Sequence, residues 1–274
     1  FYVVNGTKMF VTNGREGNTL LLNGEVEPTL RAQPGETLRL RLVNAANGRF
    51  FNLKIAGHQL RVAGTDGGLI PKPYDVDTLP IAPGERYDVF VSLAGEVGDS
   101  LAITNEPYDR GHGTDENGTM PLATLSLEGE TVSGKPLPEA GPEVDVLPET
   151  GTTIPVLLGE AFIDGEQKFT INGAVSPDVP MVMVPNGETR IIELENETEQ
   201  EHPFHLHGFF FQVVARDGVP VPAEERFNKD TIISPMMSTL TLAARFDEPG
   251  RWMYHCHILE HAERGMMGMI EVED

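Results

Sequence analysis

Short runs of apolar and β-branched residues alternate with turn residues along the whole chain. Runs of this kind, bounded by Gly, Pro, Asn and Asp, predict β-strands, and the pattern predicts no amphipathic helix of more than two turns. An all-β sandwich or barrel is therefore expected. The clearest predicted strands are Leu38–Val43, Tyr87–Leu93, Thr189–Leu194, Phe209–Val214 and Trp252–Ile258.

The chain contains an internal repeat. Gly35-Glu36-Thr37 precedes Asn44 by the same spacing as Gly187-Glu188-Thr189 precedes Asn196. Between the two copies, residues 128–153 are rich in Pro, Gly, Glu and Thr, a composition typical of an exposed linker. We therefore predict two copies of one domain, at residues 1–135 and 153–274, joined by a linker at 136–152.

Histidine content distinguishes the two copies. When Asp66 is aligned with Asp217, the second copy has histidines where the first has Phe, Lys and Ala. Metal chemistry is therefore expected in the second copy only. The histidines concerned are His202, His205 and His207, opposite Phe51, Lys54 and Ala56.

Charge and cysteine content exclude several classes of protein. The formal net charge is −22, from 42 acidic and 20 basic residues, which disfavours nucleic acids and anionic membranes as partners. No run approaches the roughly 20 apolar residues of a membrane-spanning helix. Cys256 is the single cysteine, so no intrachain disulfide forms. Phe1 is not an initiator methionine, which suggests that the chain has been processed or cut.

Two short motifs hold six of the eight histidines and the only cysteine: HPFHLHG at His202–Gly208 and HCHILEHAERGMM at His255–Met267. In a strand, side chains two positions apart share a face. His255 and His257 therefore point away from Cys256, and each motif offers ligands to two sites back to back. The first site would hold His202, Cys256, His261 and, weakly, Met266; the second would hold His205, His207, His255 and His257.

The ligand types suggest which metal is bound. Two imidazoles, a thiolate and a distant thioether favour a blue-copper site over zinc, which prefers four strong tetrahedral ligands. Zinc remains the generic alternative for a cluster of histidines around a cysteine. Gly265 permits the chain to turn immediately before Met266 and return to the metal.

Both motifs resemble the copper signatures in the third domain of three-domain multicopper oxidases, the laccase-like family. Residues 18–93 resemble that family's middle, copper-free domain. The resemblance implies two cupredoxin-like Greek-key β-sandwich or barrel domains in tandem. It implies a type 1 copper at His202, Cys256, His261 and Met266, a type 2 copper at His205, and a type 3 pair at His207, His255 and His257.

The resemblance also implies an activity. Small reducing donors such as phenols, aromatic amines or reduced metal ions would be oxidised one electron at a time at type 1 copper. Cys256, His255 and His257 would carry the electrons to a trinuclear copper site that reduces dioxygen to water. Such enzymes are periplasmic or extracellular. The alternative is a non-catalytic blue-copper electron carrier or copper-binding protein.

The chain supplies only half of the histidines that the family uses at its trinuclear site, namely His205, His207, His255 and His257. The resemblance implies that the other half comes from an N-terminal cupredoxin domain or from a separate chain, or that oxidase activity has been lost. As given, the chain is not expected to build a complete oxygen-reducing site.

Overall fold

The computed structural model describes residues 12–112, 114 and 118–274, and the fold is almost entirely β-structure. The strands of the first half are β1 Thr29–Ala32, β2 Thr37–Val43, β3 Phe51–Ile55, β4 Leu60–Thr65, β5 Gly68–Val76, β6 Leu79–Ile81, β7 Arg86–Ser92, β8 Ser100–Asn105 and β9 Met120–Leu127. They form two sheets, with orders β1-β9-β8-β3-β6 and β2-β7-β4-β5.

The second half forms a larger sandwich. Its strands are β10 Thr152–Ile163, β11 Glu166–Ile171, β12 Val182–Pro185, β13 Glu188–Asn196, β14 His202–Leu206, β15 Phe211–Arg216, β16 Val219–Pro220, β17 Thr231–Ser234, β18 Ser238–Phe246, β19 Gly250–Cys256 and β20 Met267–Glu273. The sheet orders are β11-β10-β13-β18-β15-β16 and β12-β20-β19-β14-β17. A 3-10 turn spans Ala223–Glu225, and helix α1 spans Leu259–Glu263.

Each half has its own hydrophobic core between its two sheets. The all-β prediction is confirmed, and each of the five predicted strands overlaps an observed one. The strand predicted at Trp252–Ile258 was placed too far along the chain, since β19 ends at Cys256. The backbone oxygen of Ile258 accepts hydrogen bonds from His261 and Ala262, so the chain leaves the sheet there and enters α1.

The repeat predicted from sequence spacing has a matching hydrogen-bond pattern. The buried Asn44 amide donates to the carbonyls of Arg49 and Ile81, and its oxygen accepts from the Ala46 backbone. Asn196 does the same one domain later, donating to the carbonyls of Gln200 and Ser234 and accepting from the Thr198 backbone. In each half, a buried asparagine at the end of one strand is thus hydrogen-bonded to the last residue of a strand in the other sheet.

The segment between β9 and β10 is free of strands but is fastened to both halves. Thr37 Oγ1 donates to the Lys135 carbonyl, and Gly141 donates from its backbone to Pro71 at 2.9 Å. Farther along, the Gln212 amide donates to the Asp145 carbonyl at 2.7 Å. β10 begins at Thr152, which is the last residue of the linker predicted at 136–152. The segment therefore runs along the surface of both sandwiches and is hydrogen-bonded to each of them.

Candidate metal centres

Strands β14 and β19 lie side by side and bring the two histidine-rich motifs together. They are antiparallel, with Phe204 opposite Cys256 and His205 opposite His255. Residues directly opposite each other project to the same face of a sheet. His205 and His255 therefore share one face, and Cys256 faces the core of the second sandwich.

The inner centre is formed by His202, Cys256 and His261. The two Nδ1 atoms are 3.0 Å apart, and Cys256 Sγ lies 3.7 Å from that of His202 and 3.5 Å from that of His261. The two histidines have no exposed surface and Cys256 is 1% exposed. Three ligand atoms of the right kind thus converge in a dry interior.

The loop after β19 places His261 and Met266. Helix α1 carries His261 back towards Cys256, where its ring stacks on Phe169 with centroids 3.8 Å apart. The Met266 backbone then donates to the His261 carbonyl, and its own carbonyl accepts from Cys256. Gly265 has a φ of +122°, and a Cβ there would lie 2.6 Å from the Phe169 carbonyl oxygen, so the turn favours glycine. Fully buried Met266 is thereby held beside the centre.

The outer centre is a group of four imidazoles on the other face of the sheet. His207 Nε2 and His255 Nε2 are 3.0 Å apart. The His205 ring lies between 4.7 and 5.5 Å from the other three, measured between centroids. His205, His207 and His255 bring their ligand atoms within 4.8 Å of one another. His257 belongs to the ring cluster, 5.8 Å from His255, but lies outside this compact group.

Hydrogen bonds at the second ring nitrogen determine which nitrogen faces each centre. His202 Nε2 lies 2.8 Å from Thr198 Oγ1, which is itself 2.8 Å from Asn196 Oδ1. The Gln200 carbonyl lies 3.0 Å from the same hydroxyl. Because the Asn196 and Gln200 oxygens can only accept, Thr198 donates its single proton to them and accepts from His202 Nε2–H. The lone pair of His202 Nδ1 is then directed at Cys256 and His261.

The outer histidines have the opposite arrangement. His255 Nδ1 lies 2.7 Å from the Cys256 carbonyl, and His205 Nδ1 lies 3.0 Å from the Asp230 carbonyl. A carbonyl oxygen cannot donate, so both Nδ1 atoms carry the proton and both Nε2 atoms keep a lone pair. The inner centre is thus built from Nδ1 atoms and the outer centre from Nε2 atoms.

Burial keeps these groups neutral in the metal-free protein. It lowers the pKa of His202 to about 3 and that of His255 to about 4, and it raises the pKa of the Cys256 thiol to about 12. Burial, and after it the neighbouring His202, lowers the pKa of His261 well below its usual value. Neutral imidazole is the metal-binding form, whereas Cys256 must lose its proton when a metal binds.

The inner centre fits copper. Ligand atoms about 2.0–2.3 Å from a common ion in a trigonal arrangement are separated by roughly 3.5 Å, close to the spacing observed. Two imidazoles and a thiolate with a methionine beside them are the ligand set of a blue-copper site. Within residues 12–112, 114 and 118–274, no further His, Cys, Asp or Glu joins His202, Cys256 and His261 as the fourth strong ligand that zinc prefers.

Comparison with known proteins identifies the family. Profiles described as multicopper oxidase match residues 1–130 and 152–274, nearly the whole chain. The chain belongs to the multicopper oxidase family. A multicopper oxidase of Staphylococcus epidermidis is 30% identical over 98% of this chain and 55% of its own length. The laccase of Bacillus subtilis is 31% identical over 94% of this chain and 55% of its own length.

The multicopper oxidase structure from Campylobacter jejuni, described as a metallo-oxidase, superposes with a TM-score of 0.85. It is 29% identical over 98% of this chain and 60% of its own. The expected pair of cupredoxin-like domains in tandem is thereby confirmed, as is membership of a family that uses copper. The chain spans about half the length of the curated relatives it matches. No helix of the described segments is long and apolar enough to cross a membrane.

The first half of this multicopper oxidase chain, which contributes no residue to either group, also contacts the outer centre. A Cβ on Gly84 would lie 2.5 Å from the His257 ring. Arg86 forms a bidentate ion pair with Asp230, whose backbone carbonyl accepts from His205. Burial alone would raise the pKa of Asp230, but hydrogen bonds with His205, Arg86 and Thr231 outweigh it and hold that pKa well below its usual range.

Sequence reasoning missed these supporting residues. Thr198 and Asp230 are polar residues without a motif, and Arg86 lies in the copy that has no ligands, 144 positions from its partner. The only feature of the sequence that pointed to a role for the first half was the internal repeat, which indicated that this half packs as a complete domain. His58, which lies outside both motifs and both histidine groups, bridges the Ala56 carbonyl and the Ala94 backbone N–H in the first half.

Proposed function

We propose that this chain is the electron-accepting part of a laccase-like oxidoreductase. A type 1 copper would be held by His202, Cys256 and His261, with Met266 as a weak ligand. The observation that carries the proposal is the convergence of two Nδ1 atoms and one Sγ, 3.0–3.7 Å apart, in a fully buried site. His205 would bind type 2 copper, and the type 3 pair would be bound by His207, His255 and His257.

Copper, when bound, would supply one-electron redox chemistry at the inner centre and reduction of dioxygen to water at the outer one. The protein contributes a rigid and dry ligand set. Thr198 fixes the ring of His202, Phe169 packs against His261, and Met266 is buried beside them. Little rearrangement is then needed when the charge at the centre changes.

Strand β19 joins the two centres covalently. Cys256 belongs to the inner centre, and its neighbours in sequence, His255 and His257, belong to the outer ring cluster. The alternation of side chains along β19 places His255 and Cys256 on opposite faces of the sheet, and a single peptide bond separates Cys256 from each of the two histidines. We propose this connection as the route by which electrons pass between the centres.

The remaining proposals concern the complete protein. The donors would be phenols, aromatic amines or reduced metal ions, and dioxygen would be the acceptor. An N-terminal cupredoxin domain, or another chain that supplies one, would complete the outer centre. The half-length match to the curated relatives supports this. A periplasmic or extracellular location is proposed from the family resemblance.

Copper titration tests the proposal. Added Cu²⁺ should give the intense blue absorption of a copper–thiolate bond, and Cys256→Ser should abolish it. His58→Asn is the matched control, since it removes a histidine outside both centres and should leave the colour intact. A colourless copper-loaded protein, or a blue Cys256→Ser variant, would show that the inner centre is not type 1 copper.

Oxygen consumption separates the enzyme from a non-catalytic electron carrier. With a phenolic donor, the complete protein should consume oxygen and form water. If it is blue and is reduced by the donor but consumes no oxygen, the carrier is the correct function.

A further inference from the structure

One ion pair connects the copper-free half to the outer histidines. Arg86 is the first residue of β7, and Asp230 directly precedes β17 of the second half. Arg86 Nη1 and Nη2 each lie 2.6 Å from a separate carboxylate oxygen of Asp230. Their side chains are 34% and 15% exposed, so solvent screens the pair less than it screens a pair on the surface.

Arg86 is itself held in place by its own half. Its backbone N–H donates to Asp66 Oδ1 at 2.8 Å. Its guanidinium also donates to the backbone carbonyls of Gly84 at 3.1 Å and Asp66 at 3.2 Å. The fully buried Asp66 carboxylate is also paired with Lys229 of the second half, at 3.1 Å. These hydrogen bonds therefore hold the Arg86 guanidinium in the orientation in which it binds both carboxylate oxygens of Asp230.

The Asp230 carboxylate in turn orients Thr231. Thr231 Oγ1 lies 2.8 Å from Asp230 Oδ1, and because an ionised carboxylate only accepts, the hydroxyl donates to it. That uses the single hydroxyl proton. Thr231 Oγ1, 2.8 Å from His205 Nδ1, can then only accept from His205.

His205 Nδ1–H is thus shared between Thr231 Oγ1 and the Asp230 carbonyl at 3.0 Å. Both acceptors favour the same tautomer, and Nε2 is left with its lone pair towards the other imidazoles. Without Arg86, the Asp230 carboxylate would lose two charged donors and could turn away from Thr231. The Thr231 hydroxyl would then be free to donate to His205 Nδ1, which favours the Nε2–H form and competes with the Asp230 carbonyl.

We propose that Arg86 and Asp230 are positioning residues of the outer centre: the copper-free half, through this ion pair and Thr231, fixes the tautomer and ring orientation of His205. The role of the pair at a copper site rests on the proposed function, whereas its effect on His205 does not.

The first test needs no metal. In protein labelled with ¹⁵N-histidine, long-range ¹H–¹⁵N spectra report which ring nitrogen carries the proton. In the wild type, the neutral His205 ring should be entirely in the Nδ1–H form. Arg86→Gln should produce a mixture of the Nδ1–H and Nε2–H tautomers. Arg86→Lys keeps the positive charge but cannot form two parallel hydrogen bonds, so it should produce a smaller fraction of the Nε2–H form than Arg86→Gln does.

Arg61 provides a matched control. It forms an equivalent bidentate pair with Asp75, at 2.7 and 2.6 Å, within the first half and away from the histidines. Arg61→Gln should leave the His205 tautomer unchanged. The proposal is overturned if Arg86→Gln leaves His205 in the Nδ1–H form, or if Arg61→Gln changes the tautomer equally. Should Arg86→Gln fail to fold, the comparison of Arg86→Lys with Arg61→Lys decides by the same criteria.

The second test uses the complete copper-loaded protein. Its readout is the type 2 copper signal in electron paramagnetic resonance, relative to the blue absorption, during dialysis against a chelator. Loss of a residue that supports a ligand typically weakens metal binding about 10–100-fold, so Arg86→Gln should lose type 2 copper at about tenfold less chelator. The blue absorption should persist. A signal retained as in Arg61→Gln would overturn the role at copper, and a protein with no blue absorption would instead refute the proposed function.

Discussion

At the scale of single residues, the two centres differ in which imidazole nitrogen is available. The difference arises from hydrogen bonds that no sequence pattern shows: Thr198 accepts from His202 Nε2, whereas backbone carbonyls accept from the Nδ1 atoms of His205 and His255. The alternation of side chains along a strand sufficed to separate inner from outer histidines. It could not choose the tautomer, because the acceptors come from other loops.

Replacing Thr198 with valine removes the acceptor for His202 Nε2–H. A buried donor without a partner costs about 1–3 kcal/mol, and loss of ring orientation should weaken copper binding at the inner centre about 10–100-fold. Thr65→Val is the control, because Thr65 is similarly buried and donates to the Asn228 carbonyl away from His202. Urea unfolding and chelator competition for the blue copper measure the two effects. Equal copper affinities in the two variants would contradict the role of Thr198.

The low pKa values of the buried histidines predict how metal-free stability depends on pH. His202 and His255 titrate at about 3 and about 4 when folded, against roughly 6.5 when unfolded. These two side chains therefore bind more protons in the unfolded chain between these values, and their contribution to the free energy of unfolding falls as the pH decreases from about 6.5 to about 4. Each histidine contributes about 1.4 kcal/mol per pH unit in that window.

Urea-unfolding midpoints across this pH range provide the measurement. His255→Gln should show a shallower decrease in stability than the wild type, because one buried imidazole no longer takes up a proton on unfolding. His58→Gln is the control, because it replaces a half-buried histidine outside both centres. Identical slopes for the two variants would contradict the assignment of the effect to burial.

At the scale of strands and loops, local patterns predicted the elements better than their ends. The spacing from Gly35 to Asn44, repeated from Gly187 to Asn196, corresponds to equivalent hydrogen bonds in the two halves, since both asparagines donate to the last residue of a strand in the other sheet. The end of β19 was misplaced because Ile258 is apolar enough to continue a strand, whereas its carbonyl caps α1. Whether a residue leaves a sheet depends on hydrogen bonds made later in the chain, which periodicity does not encode.

At the scale of the whole molecule, buried charges join the first half to the half that contains both histidine clusters. Lys229, 5% exposed in side chain, is paired with Asp66 and Glu85 of the first half, both almost fully buried. Removing one member of such a buried group typically costs about 3–5 kcal/mol, because it leaves an uncompensated charge. The sequence predicted two domains but not this interface, because the charges on the two sides lie far apart along the chain.

Gly84 tests whether the copper-free half also limits the position of His257. It has a φ of +86°, and a Cβ there would lie 2.5 Å from His257 Cδ2 and 2.8 Å from Nε2. Gly98, with a φ of +97°, has no described atom within 4 Å of the corresponding position. Both alanine variants incur about 1–2 kcal/mol of backbone strain, but only Gly84→Ala should add about 1–3 kcal/mol from overpacking.

The two variants separate strain from contact because both glycines have a similar positive φ, whereas the new methyl group meets other atoms only at Gly84. Urea unfolding should show the larger loss for Gly84→Ala, and the ring signals of His257 should shift in that variant alone. If both proteins lose the same stability and the His257 signals stay in place, the interface is loose enough to accept a methyl group. The first half would then support the outer centre through Asp230 and His205 and not through His257.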